Sequence, residues 1–94
     1  MLISLFIEET PPRVAALHLI VREKDFRKIE FEAHSLKGMF GNMGALEAAD
    51  LCEKLESEAE NNCLTRAEFL VVEIDKAFSE ILPVLENLKS KVAL

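Results

Sequence analysis

A histidine, a lysine and a glycine stand at His34, Lys37 and Gly38, the i, i+3, i+4 spacing that places three positions on one helical face. An imidazole in such company is a nucleophile near neutral pH, provided one ring nitrogen is free of its proton. If that nitrogen takes up a phosphoryl group, each neighbour has a physical use. The group brings about two negative charges, and Lys37 reaches them as a flexible point charge. Gly38 clears a side chain from beside the ring, at a helix-propensity cost of about 1 kcal/mol relative to alanine. At about 100° per residue, Arg27, Glu30, Phe31, Lys37, Gly38 and Gly41 all fall within roughly 60° of His34 around the helix. Gly41 extends the cleared surface by a turn, and Phe31 puts an apolar ring where water is expected, which marks a docking patch.

The element that must carry this face shows its own core stripe. Phe26, Ile29, Ala33, Leu36, Phe40 and Met43 alternate steps of three and four. That stripe is out of phase with His34, so burying it turns the imidazole outward. Asp25 is placed to cap the start of this helix near Phe26, and the run GNMG ends it at about Met43, with Gly44 or Gly41 able to take positive φ.

The run AHSLKGMFGNMGALEAADLCEKLE resembles the signature of the histidine phosphotransfer (HPt) domain. That pattern is His-x-Leu-Lys-Gly, a Gly-terminated turn, then an amphipathic helix ending in Leu-Glu. This chain supplies His34, Leu36, Lys37, Gly38, Asn42, Gly44, Leu51, Cys52, Leu55 and Glu56 in those places, over about a third of its length. Met43 stands where the family often has leucine, a change that conserves volume. The resemblance implies that His34 accepts and donates the phosphoryl group, that Lys37 steadies it and that Gly38 admits the partner. It implies receiver domains of response regulators or of a hybrid histidine kinase as partners. Any Mg²⁺ would then belong to the receiver, with no cofactor held by this chain. Arg27, Glu30, Phe31 and Gly41 are the expected docking residues.

The other segments read as helices. Leu2, Ile3, Leu5 and Phe6 make a short amphipathic piece, and Thr10 before Pro11 and Pro12 reads as the cap of a new helix with prolines in its first turn. That helix carries Val14, Leu17 and Val21, with His18 at the edge of the stripe, and ends in the polar run REKD. A third helix over 45–61 buries Ala45, Ala48, Leu51, Cys52, Leu55 and Ala59 and turns Glu53, Lys54, Glu56, Glu58 and Glu60 to water. Thr65 and Glu68 have capping-box spacing ahead of a last stripe of Ala67, Val71, Ile74, Phe78, Ile81, Leu85, Leu88 and Val92. Pro83 predicts a bend or break in that stripe near Ser79 to Pro83. The expected fold is all-α, an antiparallel up-and-down four-helix bundle with a short extra N-terminal helix packed across one end. The HPt resemblance implies the same bundle.

At 94 residues the chain is one domain by size, spanning 1–94, and it reads equally as a protein standing alone or as a domain excised from a larger hybrid sensor kinase. A formal net charge of −6 weighs against nucleic acid or an anionic membrane as partner. No apolar run approaches the ~20 residues of a membrane span, and Glu8 and Glu9 directly after the first apolar residues argue against a secretory leader. A cytoplasmic monomer is expected. Cys52 and Cys63, eleven positions apart on one helix, would lie roughly 16 Å apart, beyond disulfide reach. Cys52 falls on the core stripe. His18 has none of the neighbours of His34, and a metal site from the two histidines lacks further ligands at suitable spacing. With no Gly-rich phosphate loop and no kinase signature, the chain has no ATP chemistry of its own. The competing class is a non-catalytic interaction module that binds a partner through the Phe31 and His34 face. Self-assembly through a second apolar stripe is a third reading, and no such stripe of full length is present.

Overall fold

The computed structural model describes residues 3–92, in which all regular structure is helical: α1 (Ile3–Glu23), α2 (Phe26–Asn42), α3 (Leu46–Glu60) and α4 (Ala67–Val92). Leu2, part of the expected N-terminal piece, and the side chain of Val92 lie outside the described residues. Each helix packs on two others, α1 on α2 and α4, α3 on α2 and α4, so the four close around one core in a rod of 47 × 20 × 19 Å. The pair α2 and α3 has the most extensive contact. Small buried side chains on α3, Ala48, Cys52 and Ala59, with Ala33 on α2, let the two helices approach closely.

The stripe on α2 is buried as its period requires: Ile29, Ala33, Leu36 and Phe40 are fully buried, with Phe26 and Met43 half-buried at the ends. Asp25 caps the helix in extended conformation, its carboxylate accepting from Lys28 N–H at 3.2 Å. At the other end Gly44 takes φ +75°. Ala45 N–H donates to Phe40 O at 2.9 Å and Gly44 N–H to Gly41 O at 3.1 Å, the paired bonds of a Schellman motif. Asn62 repeats the device after α3 at φ 52°, with Cys63 N–H on Glu58 O and Asn62 N–H on Ala59 O. These two stops direct the chain from α2 into α3 and then into α4.

The expected separate N-terminal helix is corrected: α1 runs without interruption from Ile3 through Pro11 and Pro12 to Glu23. Phe6, Thr10, Val14, Leu17 and Val21 follow each other in steps of four, four, three and four and are all buried, so a single stripe spans the prolines. The proline rings remove the N–H groups that would bond the carbonyls of Ile7 and Glu8. Glu8 is exposed, so water can replace the donor at its carbonyl, while Ile7 is partly buried against the core. With Ile3 and Ile7 partly buried against the core, what chiefly holds the segment is Phe6. Its ring meets Phe40 and Phe78 edge-on at centroid distances of 5.9 and 6.2 Å, and Phe40 and Phe78 lie 6.0 Å apart. Thr10 is accordingly an interior residue of the helix and not its cap. Its hydroxyl is buried with no hydrogen-bond partner among the described residues, a cost that the packing of Phe6 must exceed.

Two further expectations are revised at α4. Of the bend or break expected near Pro83, the break is absent: the helix continues through it, with Ile74, Phe78 and Leu85 buried on either side while Ser79 and Pro83 face water. The capping box at Thr65 does not form. Arg66 N–H instead donates to Glu58 Oε1 at 3.1 Å, across from α3, and the Thr65 hydroxyl lies 3.3 Å from Cys63 Sγ. Of the α4 stripe, Ile81 is half-buried and Leu88 is exposed, so burial thins towards the C-terminal end.

The two thiols have opposite environments. Burial, reinforced by the charge of Glu56, pushes the Cys52 thiol up to about 12. Cys63 is exposed beyond α3, and the hydrogen bond with Thr65 lowers its pKa below the usual thiol value. The thiolate is the reactive form. A chromogenic disulfide reagent at neutral pH is therefore expected to titrate one thiol per native chain, at Cys63, and the second only in denaturant. Rapid reaction of both in the folded protein would contradict the burial of Cys52.

Candidate functional site

The phase of α2 brings His34 to the surface, with 71% of its side chain exposed. It does not stand free. Nδ1 lies 2.8 Å from Glu56 Oε2 on α3. A carboxylate only accepts, so Nδ1 carries the proton, and in the neutral ring the lone pair is on Nε2. Glu56 is itself held, its side chain only 14% exposed. Its other oxygen, Oε1, is 4.0 Å from Lys37 Nζ, and that ammonium lies 3.5 Å from Glu53 Oε1. One carboxylate thus lies within reach of both the imidazole and the ammonium. The chemical capacity of this arrangement is a nucleophilic nitrogen of fixed tautomer facing outward, with a positive charge one helical turn away.

The expected docking residues are largely gathered. Arg27, Glu30, Phe31, His34 and Glu56 line one groove of about 510 Å³. Phe31 is 68% exposed, so its ring is presented to solvent and not packed on a neighbouring helix. Gly38 and Gly41 are exposed on the same helix but do not line the groove. A Cβ added at either would meet nothing within 4 Å, and positive φ among the glycines belongs to Gly44 alone. Neither glycine is therefore required by packing inside the chain.

Glu56 corrects the sequence reading, which placed it among the solvated residues of α3. It lies four residues after buried Cys52 and three before buried Ala59, on the edge of the stripe that meets α2. That phase was the available signal. Glu53, read as exposed, is exposed, but its pairing with Lys37 is visible only across the helix interface. Arg13 was also missed. From α1 it donates to Ser35 Oγ at 2.9 Å and to Met39 Sδ at 3.1 Å, and lies 3.4 Å from Glu32. It ties α1 to α2 on the side away from His34. His18 pairs with Asp75 on α4 at 3.2 Å, Nε2 to Oδ2, and takes no part in the His34 site.

The sequence profile of the Hpt domain matches residues 1–89. The chain belongs to the Hpt family. The role of this Hpt domain is histidine phosphotransfer in a phosphorelay, in which Hpt domains interact with receiver domains. Among solved structures it is similar to histidine-containing phosphotransfer protein B (HptB) from Pseudomonas aeruginosa PAO1, with a TM-score of 0.90 and 27% sequence identity over 95% of this chain and 77% of that one. A search among curated proteins gives no match. Among the described residues no helix of this Hpt domain is long and apolar enough to cross a membrane.

Proposed function

We propose that His34 is the residue that carries the phosphoryl group, and that Nε2 is the atom that bears it. In the forward step Nε2 attacks phosphorus in line, the P–Nε2 bond forms and the bond to the receiver aspartate breaks, its electron pair leaving with the carboxylate. The proton on Nδ1 stays where Glu56 accepts it, so the phosphorylated ring is a cation beside a carboxylate. In the return step another receiver aspartate displaces the ring. Lys37 steadies the phosphoryl oxygens. Gly38 and Gly41 leave room for the receiver, and Phe31, Arg27 and Glu30 form the surface on which it docks. The receiver supplies Mg²⁺ and most of the electrostatic stabilisation of the loose transition state. This chain holds no cofactor and no ATP, and a kinase can stand in for the receiver as the first donor.

The observation that carries the reading is the 2.8 Å contact of Nδ1 with Glu56, which leaves Nε2 as the outward nucleophile of an exposed ring. The connections support an antiparallel up-and-down bundle, since each spans only the few residues between the helix bounds. The reading takes 1–94 as one Hpt unit, monomeric and cytoplasmic.

The test is transfer from a phosphorylated receiver domain with Mg²⁺ present. Native chain is expected to take an acid-labile, alkali-stable label, and His34→Gln none, with its helical circular dichroism unchanged. Label on His34→Gln would move the site elsewhere. A native chain that binds receivers through the Phe31 groove yet is never labelled would establish the interaction-module reading instead.

A further inference from the structure

Lys37 is shared between two carboxylates before any phosphoryl group arrives. Glu56 is engaged by its bond to Nδ1 and stays largely buried. Glu53, one turn earlier on α3, is exposed, and Lys37 is its one ion-pair partner among the described residues, at 3.5 Å. Nothing else there fixes it. A phosphoryl group on Nε2 adds about two negative charges beside these two carboxylates. Lys37 must then turn to the phosphoryl oxygens, away from Glu53, and its pair with Glu53 is lost. The unphosphorylated state has no such loss.

We propose that Glu53 is a positioning residue that holds Lys37 on α3 and thereby biases the phosphoryl group from His34 towards the receiver aspartate. The inference rests on the assignment of His34 as the carrier. The step it favours breaks the P–Nε2 bond as the aspartate P–O bond forms. The electron pair returns to Nε2, the proton remains on Nδ1 and the ammonium returns to Glu53. The pair is partly exposed, so its effect is modest and weakens with salt.

The experiment mixes the full chain with one phosphorylated receiver domain and Mg²⁺ and measures the equilibrium ratio of phosphohistidine to phosphoaspartate. Glu53→Gln is expected to raise that ratio about two- to fivefold at low salt, the range of an exposed ion pair, and less at high salt. Asp50→Asn removes the same charge from the same helix, where Asp50 pairs with Lys54 at 3.2 Å, and is expected to leave the ratio near native. In a Lys37→Gln background the effect of Glu53→Gln is expected to shrink towards that of Asp50→Asn. An unchanged ratio in Glu53→Gln overturns the role of Glu53. A shift equal to that of Asp50→Asn, or one undiminished without Lys37, overturns it too, because general charge repulsion then suffices. Absence of label at His34 in the native chain removes the carrier assignment itself and this inference with it, a result distinct from a labelled chain whose ratio does not move.

Discussion

Gly38→Leu is expected to fold as the native chain does and to slow transfer from a phosphorylated receiver by about a hundredfold, the size of effect produced by about 1 Å of misplacement in a reacting pair. A Cβ at this position meets nothing within 4 Å, and its φ is not positive, so the chain's own packing accepts a side chain there. Glycine inside a helix is nonetheless less favourable than alanine by about 1 kcal/mol. A cost of that kind, with no internal return, points to something that arrives from outside. Position 38 lies about 40° from His34 around the helix and one turn along it, where the body bearing the aspartate must pass to bring phosphorus within about 3–3.5 Å of Nε2. Gly38→Ala separates the two effects. Its melting temperature should rise while its transfer rate falls, less than for leucine. Native-like transfer in Gly38→Leu would show that the receiver approaches from another direction.

The outward face was legible because one helix settles it. The phase of Ile29, Ala33, Leu36 and Phe40 alone turns His34 to water, and Asp25 and Gly44 mark the ends by local backbone chemistry. Glu56 was not legible as a site residue, because the partner of a charged side chain depends on which residue of a neighbouring helix stands opposite. Periodicity places each side chain on its own helix and carries no information on register between helices. The small residues of α3 set that register by close approach to α2, and through it Glu56 meets Nδ1 and Glu53 meets Lys37. The role of Arg13 was hidden for the same reason.

The prolines show a local rule overridden by packing. Thr10, Pro11 and Pro12 have the composition of a helix start, and residue by residue that reading is sound. It fails because Thr10 is in phase with Phe6 and Val14, and a four-residue step through a polar threonine passes unnoticed when only apolar residues are counted. Pro83 fails as a breaker for a similar reason, lying on the wet side of a helix whose other face is buried before and after it.

That account makes Phe6 the residue on which the first two turns of α1 depend. Phe6→Ala is expected to lower the unfolding free energy by about 3–5 kcal/mol, the usual loss for a buried phenylalanine. On a domain whose total stability is about 5–15 kcal/mol that is a large share. The loss should also be local. Ser4, Leu5, Glu8 and Glu9 are exposed and Ile3 and Ile7 only partly buried, and among the described residues before Pro11 the only other fully buried one besides Phe6 is Thr10, with its unpartnered hydroxyl. Without the ring against Phe40 and Phe78, only the partly buried Ile3 and Ile7 remain on the core to offset the two backbone bonds that the prolines remove. Amide hydrogens of Ile7 to Thr10 should then lose exchange protection well before those of α2, and the helix should begin after Pro12. Leu5→Ala, at an exposed position of the same turn, should change stability by no more than about 0.5 kcal/mol. If Phe6→Ala lowers global stability while the amides of Ile7 to Thr10 keep their native protection, the continuity of α1 has a cause other than the three-ring cluster. If they open while His34 still takes its label, the segment before Pro11 is an addition to the core and the phosphotransfer face stands on α2 and α3 without it.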